Sequence, residues 1–322
     1  MSFFILHPSS FILSFLWFLP MNNAELPIET LIHIADVHFW KIVCNPIHLF
    51  NKRFLGNMTV LFKRRREFDM AQAEPYADTI AEVASSTGAK TVLLTGDFAS
   101  TSLPDEFVLA AGFVRGLRAR GLEIHLLPGN HDVYTFESVR RKRFEHYFGE
   151  FLPRGGYPSA IRLPGGTPLI LVPTVRPRPF SARGHITEKE VDQVRQLIEQ
   201  AGDRLVVAGH YPLLHRTQGY MSNPWRQLKN AGKLRRVLGE SQKHILYAAG
   251  HVHAFSYERD PLYANLEHLT TGAFFKRDIK REIAGEFSEI RIYQDRFEIH
   301  RHVHKGGWIS IQPVIHEVDK KG

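Results

Sequence analysis

The chain has 322 residues, of which 43% are hydrophobic, so it can bury a sizeable core and is too apolar for a disordered protein. Its single cysteine, Cys44, excludes an intramolecular disulfide and a thiolate-rich zinc site. The formal net charge is +8, and the stretch 39–66 contributes seven Lys or Arg residues and no acid. Such a stretch favours an anionic partner, although a solvated loop would have the same composition.

The first twenty residues are almost wholly apolar, but no Lys or Arg precedes the apolar run, as a secretory signal requires. Pro8 interrupts the run, which disfavours a membrane-spanning helix. We therefore expect the folded chain to start at Met21 and residues 1–20 to be a translated upstream segment, with a signal anchor as the alternative. Residues 21–322 are predicted to form one domain that carries the basic stretch 39–66 as an insert.

Five short apolar runs predict strands that are buried on both faces, at 31–35, 91–95, 123–127, 204–208 and 244–249. Between them, helical patterns cover 66–86, 104–120 and 187–201, the last with capping-box spacing at its start. This alternation indicates βα units around a central sheet. Two further pairs of segments flank turn residues and predict hairpins, at 160–163 with 168–172 and at 287–293 with 296–302. We expect a single α/β domain in which two sheets pack together.

Each of the five predicted strands is followed by polar residues able to bind metal. In open α/β sheets, ligands bind beyond the carboxyl ends of the strands. Residues two apart on an extended chain point the same way. The side chains of the Asp-x-His pair are therefore expected to face one region together, and so are those of the His-x-His pair. The donors are nitrogen and oxygen only, which suits Zn, Fe or Mn: Asp36, His38, Asp97, Asn130, His210, His251 and His253.

In chain order these residues stand in five blocks: Asp36-Val37-His38, Gly96-Asp97, Gly129-Asn130-His131-Asp132, Gly209-His210 and Gly250-His251-Val252-His253. The set resembles the calcineurin-like metallophosphoesterases and covers the chain from about residue 31 to residue 253. The resemblance implies a four-layer α-β-β-α sandwich with two mixed β-sheets, the metallo-dependent phosphatase fold. It also implies two divalent or mixed-valence metal ions, either Mn, Fe or Zn.

By that resemblance, one ion is held by Asp36, His38, Asp97 and His253. The second ion shares Asp97 and is held also by Asn130, His210 and His251. A bridging carboxylate has two oxygens for two cations about 3.5–4 Å apart, and water between such cations becomes a nucleophile near neutral pH. The family's leaving-group acid maps to His131, for which a structural role beside the ligands is the alternative.

Departures from known subclasses narrow the predicted activity. No tyrosine follows Gly96-Asp97, where purple acid phosphatases place an iron ligand, and the Asp-Arg-Gly of Ser/Thr protein phosphatases is missing. The segment 127–134 looks most like bacterial phosphodiesterases of the cyclic-nucleotide type. The sequence therefore predicts a hydrolase of phosphate esters, foremost a phosphodiesterase. A metal-dependent nuclease and a non-catalytic scaffold that keeps the fold are the alternatives.

The basic insert 39–66 is expected to bring an anionic partner to the metals. The substrate would be a phosphorylated small molecule or lipid, and the insert would contact an anionic membrane peripherally. Aromatic residues among the cations keep nucleic acid as a second candidate partner. The four consecutive cations at 63–66 are interpreted as one exposed group. We expect a cytoplasmic location, with peripheral contact to the inner face of the membrane.

Overall fold

A computed structural model describes residues 25–43, 53–179, 181–220 and 223–316. The predicted upstream segment 1–20 lies outside the described residues. None of the described helices is long and apolar enough to cross a bilayer. The α-helices are α1 (Arg53–Thr59), α2 (Arg65–Glu67), α3 (Ala73–Thr87), α4 (Pro104–Ala119), α5 (Phe136–Arg140), α6 (Arg143–Phe148), α7 (Glu188–Glu199) and α8 (Ala231–Glu240). Short 3-10 turns cover Met70–Gln72, Gly149–Phe151 and Pro224–Arg226, and a π-helical turn, Val60–Arg64, joins α1 to α2.

The described strands form two mixed six-stranded sheets and a two-stranded ribbon. They are β1 (Glu29–Ile34), β2 (Thr91–Leu94), β3 (Glu123–Leu126), β4 (Ser159–Arg162), β5 (Pro168–Leu171), β6 (Gly184–His185), β7 (Arg204–Ala208), β8 (Leu228–Lys229), β9 (His244–Ala249), β10 (Ser256–Arg259), β11 (Leu266–Thr270), β12 (Glu286–Ile292), β13 (Phe297–His304) and β14 (Trp308–Ile315). The first sheet has the order β14-β13-β12-β1-β2-β3 and the second β10-β11-β9-β7-β5-β4, while β6 pairs with β8.

The strand predictions are confirmed. All five apolar runs are strands, and the two predicted hairpins pair β4 with β5 and β12 with β13 in antiparallel fashion. Strands β1, β2 and β3 run parallel in one sheet, as do β5, β7, β9 and β11 in the other. The carboxyl ends of neighbouring parallel strands lie at one edge of a sheet, so each sheet presents an edge of this kind.

Alternating side chains build four layers from these elements. On β1, Ile32 and Ile34 point to a core shared with α3 and α4, whereas Leu31 belongs to the core between the sheets. On β7, Leu205 and Val207 join a third core with α7 and α8. Because successive strand residues face opposite sides, each central strand is buried on both faces. The predicted four-layer α-β-β-α sandwich with two mixed β-sheets is therefore confirmed.

The predicted helix over 66–86 is interrupted in the structure. Phe68 ends α2 in an extended conformation (φ −113°, ψ 114°), and α3 starts only at Ala73. The Phe68 ring is buried, with its centroid 4.9 Å from that of His38, and the Asp69 carboxylate caps the following turn at the Ala71 N–H (3.3 Å). Burial of the aromatic ring outweighs the local preference for helix in this segment.

Residues 53–66 of the basic insert form a docked helical segment rather than a solvated loop. Arg53 is only 2% exposed and donates to the backbone oxygens of Thr101 (3.0 Å) and Ser102 (3.2 Å). Its guanidinium also pairs with Glu137 at 3.1 Å. Gly56 allows close packing, since a Cβ there would lie 2.7 Å from Thr101 Cγ2. These contacts fix α1 and the π-helical turn after it against the loops at the end of the first sheet.

The loops after β2 and β3 touch each other through two glycines. A Cβ on Gly96 would lie 2.4 Å from the backbone nitrogen of Gly129. A Cβ on Gly129 would lie 2.1 Å from the nitrogen of Asp97 and 2.2 Å from its Oδ1. Only residues without a Cβ allow the two loops to approach this closely. The contact sets the distance between the Asp97 and Asn130 loops.

Gly129→Ala is expected to destabilise the protein by about 1–3 kcal/mol, because the added methyl group must displace backbone at Asp97. The matched control is Gly112→Ala on α4, where a Cβ meets no atom within 4 Å. That change should raise the free energy of unfolding by about 0.5–1 kcal/mol, the usual gain for Gly→Ala within a helix. Thermal and denaturant unfolding measure both. Equal stability of the two variants would contradict the proposed contact between the loops.

Candidate metal centre

The edges of both sheets bring all seven predicted metal-binding side chains together. The residues follow β1, β2 and β3 in one sheet and β7 and β9 in the other. One group whose ligand atoms all lie within 4.8 Å of one another consists of Asp36, His38, Asp97 and His253. A second such group consists of Asp97, His210 and His251. Asn130 adjoins the second group, with its Oδ1 3.1 Å from His210 Nε2.

Asp97 belongs to both groups and offers one oxygen to each. Its Oδ2 lies 3.5 Å from His38 Nε2, and its Oδ1 lies 3.5 Å from His210 Nε2. His38 follows a strand of the first sheet, while His210 follows a strand of the second. A carboxylate in this position can bridge two cations, which is the arrangement found in dinuclear hydrolases.

The first group has the properties of a cation site. Asp36 Oδ1 is buried and has no hydrogen-bond partner among the described residues, and it lies 3.6 Å from His253 Nε2. His38 Nε2 and His253 Nε2 are only 2.9 Å apart, so both nitrogens face the same point. Burial, followed by the charge of Asp97, raises the pKa of Asp36 well above its usual value. A bound cation would satisfy the orphaned oxygen and restore the charged carboxylate, so these residues fit a metal ion.

The imidazoles are held in the neutral form that coordinates metals. Burial lowers the pKa of His38, His251 and His253 well below the usual histidine value, and it lowers that of His210 as well. Backbone carbonyls fix the tautomers, because His210 Nδ1 donates to Thr95 O (2.7 Å) and His251 Nε2 donates to Arg226 O (2.9 Å). These bonds leave His210 Nε2 and His251 Nδ1 as the nitrogens with free lone pairs.

The backbone at the ligands differs from the extended chain that the sequence suggested. Five of the predicted ligands have positive φ angles: Asp36 (54°), His38 (48°), Asp97 (59°), His251 (70°) and His253 (55°). Non-glycine residues rarely adopt this region, and each instance costs about 1–3 kcal/mol. The paired residues do address one region, but they do so through tight left-handed turns held by the surrounding loops.

Asp132 ties the ligand loops together, a role that the sequence did not reveal. The side chain is 1% exposed, and its Oδ2 accepts from the backbone N–H groups of Asp97 (2.9 Å) and Gly129 (2.7 Å). Its Oδ1 accepts from Ala99 N–H at 2.9 Å. Asp132 thus holds the loop of the shared carboxylate against the loop of Asn130. In the sequence, the only indication of this role was that Asp132 is the last residue of the block that contains Asn130 and His131.

His131, the predicted leaving-group acid, lies beside the two groups. Its backbone N–H donates to Asp97 Oδ1 (2.8 Å), and its Nδ1 donates to Ser100 O (2.7 Å). Its Nε2 lies 3.0 Å from Nη2 of Arg64, which donates to it. The imidazole also stacks on Tyr134, with ring centroids 5.3 Å apart. The structure therefore places His131 next to the shared carboxylate, with Nδ1 bonded to a backbone oxygen and Nε2 directed at Arg64.

Arg64 lies at the metal centre, and the sequence interpretation missed it. It was grouped with Lys63, Arg65 and Arg66 as one exposed basic cluster, but Arg64 is only 8% exposed whereas the other three are exposed. A signal was present, because Val60, Arg64 and Phe68 recur every four residues and all three are buried. Because no known motif includes this segment, that spacing did not distinguish Arg64 from its neighbours.

Two mixed sheets with a shared carboxylate and two ligand groups at their edges define a metal-dependent phosphoesterase. The chain belongs to the calcineurin-like phosphoesterase family, whose model matches residues 29–255. The family and the metal-dependent hydrolase class that were predicted from the sequence are thereby confirmed. No curated protein sequence matches the chain significantly.

Solved structures support the fold. A dimetal phosphatase from Danio rerio is similar to this chain with a TM-score of 0.62 and 14% identity, over 89% of this chain and 99% of that one. The purple acid phosphatase PPD1 from yellow lupin (Lupinus luteus) seeds is similar with a TM-score of 0.60 and 10% identity. That match covers 91% of this chain and 54% of the lupin chain, so this protein spans about half the length of the lupin enzyme.

Asp97→Ala is expected to lose most of the bound metal and all measurable turnover, because it removes the carboxylate that the two groups share. The control is Asp78→Ala on α3, a mainly exposed residue that pairs with Arg120 at 2.7 Å. It should retain metal and activity, since exposed ion pairs contribute little. Elemental analysis of purified protein measures the metal content. Full metal content in Asp97→Ala would show that this carboxylate is not shared between ions.

Proposed function

We propose that this protein is a phosphodiesterase with two bound metal ions, chosen from Mn, Fe or Zn, and with His131 as the acid for the leaving group. The observation that carries the proposal is the shared position of Asp97 between two histidine groups, with His131 bonded to the same carboxylate. When bound, two cations supply a nucleophile from water and neutralise charge on the phosphoryl oxygens. The seven predicted side chains hold these ions, and the remaining residues position the ester.

The position of His131 suits donation of a proton to the leaving oxygen. Its Nδ1 is committed to Ser100 O, so Nε2 is the nitrogen available to a departing oxygen. Arg64 donates to that nitrogen at 3.0 Å, so Nε2 is the acceptor and carries no proton while this hydrogen bond is made. For His131 to act as an acid, Nε2 must first take up a proton from solvent, which requires the Arg64 guanidinium to turn away. An anionic substrate provides the attraction that draws it away.

His131→Ala should keep its metals and slow esters with poor leaving groups by about 10²–10⁴-fold, because such groups need protonation as they depart. The loss should be much smaller on a nitrophenyl ester, whose leaving group is stable without a proton. His146→Ala on α6, an exposed histidine, is the control and should resemble the parent on both substrates. Steady-state rates on an alkyl and a nitrophenyl diester measure the effect. Equal losses on the two esters would assign His131 a structural role.

A substrate panel tests the proposed activity itself. Mn-loaded protein is offered monoesters, diesters, cyclic nucleotides, phospholipid diesters and single-stranded DNA under one set of conditions. We expect turnover of diesters to exceed that of matched monoesters. A preference for single-stranded DNA would favour the nuclease alternative instead. Metal-loaded protein that turns over none of the panel would favour the non-catalytic scaffold.

We also propose that the outer face of the insert rests on an anionic lipid surface. Phe54, Leu55, Met58 and Phe62 are exposed on the side of the helical segment 53–67 that faces away from Arg53 and Arg64. Leu55 and Phe62 are 62% and 68% exposed, which is unusual for side chains of this size. The exposed cations Lys63, Arg65 and Arg66 lie beside them, and no acid occurs in 53–66.

This combination favours a membrane over nucleic acid as the partner. Exposed aliphatic and aromatic side chains gain by entering the headgroup region, and adjacent cations are attracted by anionic lipids. The buried face of the same segment contacts the metal centre through Arg64. A helix is about 10–12 Å across, so a lipid headgroup at the outer face would lie close to the site. A lipid-linked phosphodiester at the inner face of the cytoplasmic membrane would fit this arrangement.

Replacing Lys63, Arg65 and Arg66 with Ser should weaken binding to anionic vesicles by about 1 kcal/mol per removed charge. Arg64 is kept, so metal content and turnover of a small soluble ester should not change. The control replaces three exposed cations on the opposite outer layer, Lys189, Arg195 and Arg236, with Ser. Co-sedimentation with anionic and with neutral vesicles, and a single-stranded DNA binding assay, measure the outcome. Unchanged vesicle binding would refute the membrane proposal, and loss of DNA binding alone would favour nucleic acid as the partner.

A further inference from the structure

The last residue of the π-helical turn, Arg64, buries its guanidinium against two imidazoles of the metal centre. Its Nη1 contacts His38 Nδ1 and donates to Ser100 Oγ at 3.1 Å. Its Nη2 donates to His131 Nε2 at 3.0 Å. The side chain therefore reaches a predicted metal ligand and the predicted leaving-group acid at the same time. No part of the family motif includes this residue, which comes from the insert between the first two blocks.

Among the described residues Arg64 has no direct ion pair, although the charges of Asp97 and Glu106 nearby favour its charged form. All three acceptors of Arg64 are neutral, and among the described residues no carboxylate oxygen lies within 4.0 Å of its guanidinium. Arg53, the other buried cation of the insert, is by contrast paired with Glu137 at 3.1 Å. A buried guanidinium without a direct anionic partner is costly, and an anion that binds to it directly would offset that cost.

The guanidinium is placed beside the shared carboxylate of the metal centre. Its Nη1 contacts His38, whose Nε2 lies 3.5 Å from Asp97 Oδ2, and its Nη2 contacts His131, whose backbone N–H donates to Asp97 Oδ1 at 2.8 Å. A phosphoryl group that reaches the metal centre would therefore come within reach of this cation, which can donate two charge-assisted hydrogen bonds to it.

We infer that Arg64 binds the phosphoryl oxygens of the substrate, clamping the anion between its guanidinium and the metal centre. The planar fork of an arginine matches two oxygens of a phosphate, which a lysine ammonium does not. The insert positions Arg64 at the site, because Arg53 and Gly56 fix the preceding helix, α1, against the loop at 101–102. This inference rests on the proposed function in that the anion is the phosphoryl group of an ester. It adds a specific residue for substrate recognition.

The test is the affinity of Mn-loaded protein for inorganic phosphate, measured by calorimetry and independent of turnover. Arg64→Gln should weaken phosphate binding by about ten- to hundredfold, the usual effect of losing charge-assisted hydrogen bonds. Arg65→Gln is the matched control, because Arg65 is the next residue along the chain and is exposed. It should bind phosphate within about twofold of the parent, since exposed charges contribute little. Elemental analysis should find the same metal content in both variants.

Two further measurements separate recognition from a structural role. Arg64→Lys keeps the positive charge but loses the fork, so it should keep its metals and bind phosphate with an affinity between those of the parent and Arg64→Gln. Free guanidinium added to Arg64→Gln should restore part of the lost affinity. Parent-like phosphate affinity in Arg64→Gln would overturn the inference. Loss of metal from both Arg64→Gln and Arg64→Lys would also overturn it, because Arg64 would then be a structural support of the ligands.

The outcome is distinguishable from failure of the proposed function. If the parent hydrolyses no ester but phosphate affinity still depends on Arg64, the anion site stands and the phosphodiesterase proposal falls. If esters are hydrolysed with equal efficiency by the parent and by Arg64→Gln, and phosphate affinity is unchanged, the activity stands and the role of Arg64 falls.

Discussion

The buried carboxylate of Asp97 is the constraint on which the rest of this structure depends. One oxygen faces a histidine that follows the first sheet and the other faces a histidine that follows the second, so the two sheets must present their edges to a single point. Burial raises the pKa of this carboxylate, and a nearby cation is what keeps it charged. The glycine contact between the loops, the three bonds to Asp132 and the left-handed turns at the ligands all hold this one group in place.

The basic insert contacts the metal centre on one face and is exposed to solvent on the other. From the sequence it was a run of cations and bulky apolar residues that was expected to contact an anionic substrate or membrane, with nucleic acid as the second candidate and a solvated loop as the alternative. The structure divides it into two faces, one buried through Arg53 and Arg64 and one exposed through residues such as Phe62. A single helical segment thus carries a donor for an anion on its inner side and an amphipathic surface on its outer side. The proposals for the substrate and for the membrane follow from these two faces.

Much of the fold and of the ligand set was predictable because the signals are local. Short apolar runs define strands by themselves, and a ligand directly after a strand is brought to the sheet edge by the strand's own direction. The break at Phe68 was not predictable, because it depends on a pocket beside His38 that is formed by residues distant in sequence. Arg64 and Asp132 were missed for the same reason, since their roles are hydrogen bonds across loops. The predicted start at Met21 and the single-domain organisation of residues 21–322 stay predictions.

The most direct test of this account is electron paramagnetic resonance of the Mn-loaded protein, combined with its metal content. If Asp97 is shared between two ions, fully loaded protein should contain two Mn per chain and give the spectrum of an exchange-coupled pair. The coupled signal should disappear in Asp97→Ala. A fully active protein that contains one Mn per chain and gives only the six-line spectrum of an isolated ion would contradict the shared carboxylate, and with it the mechanism built on it.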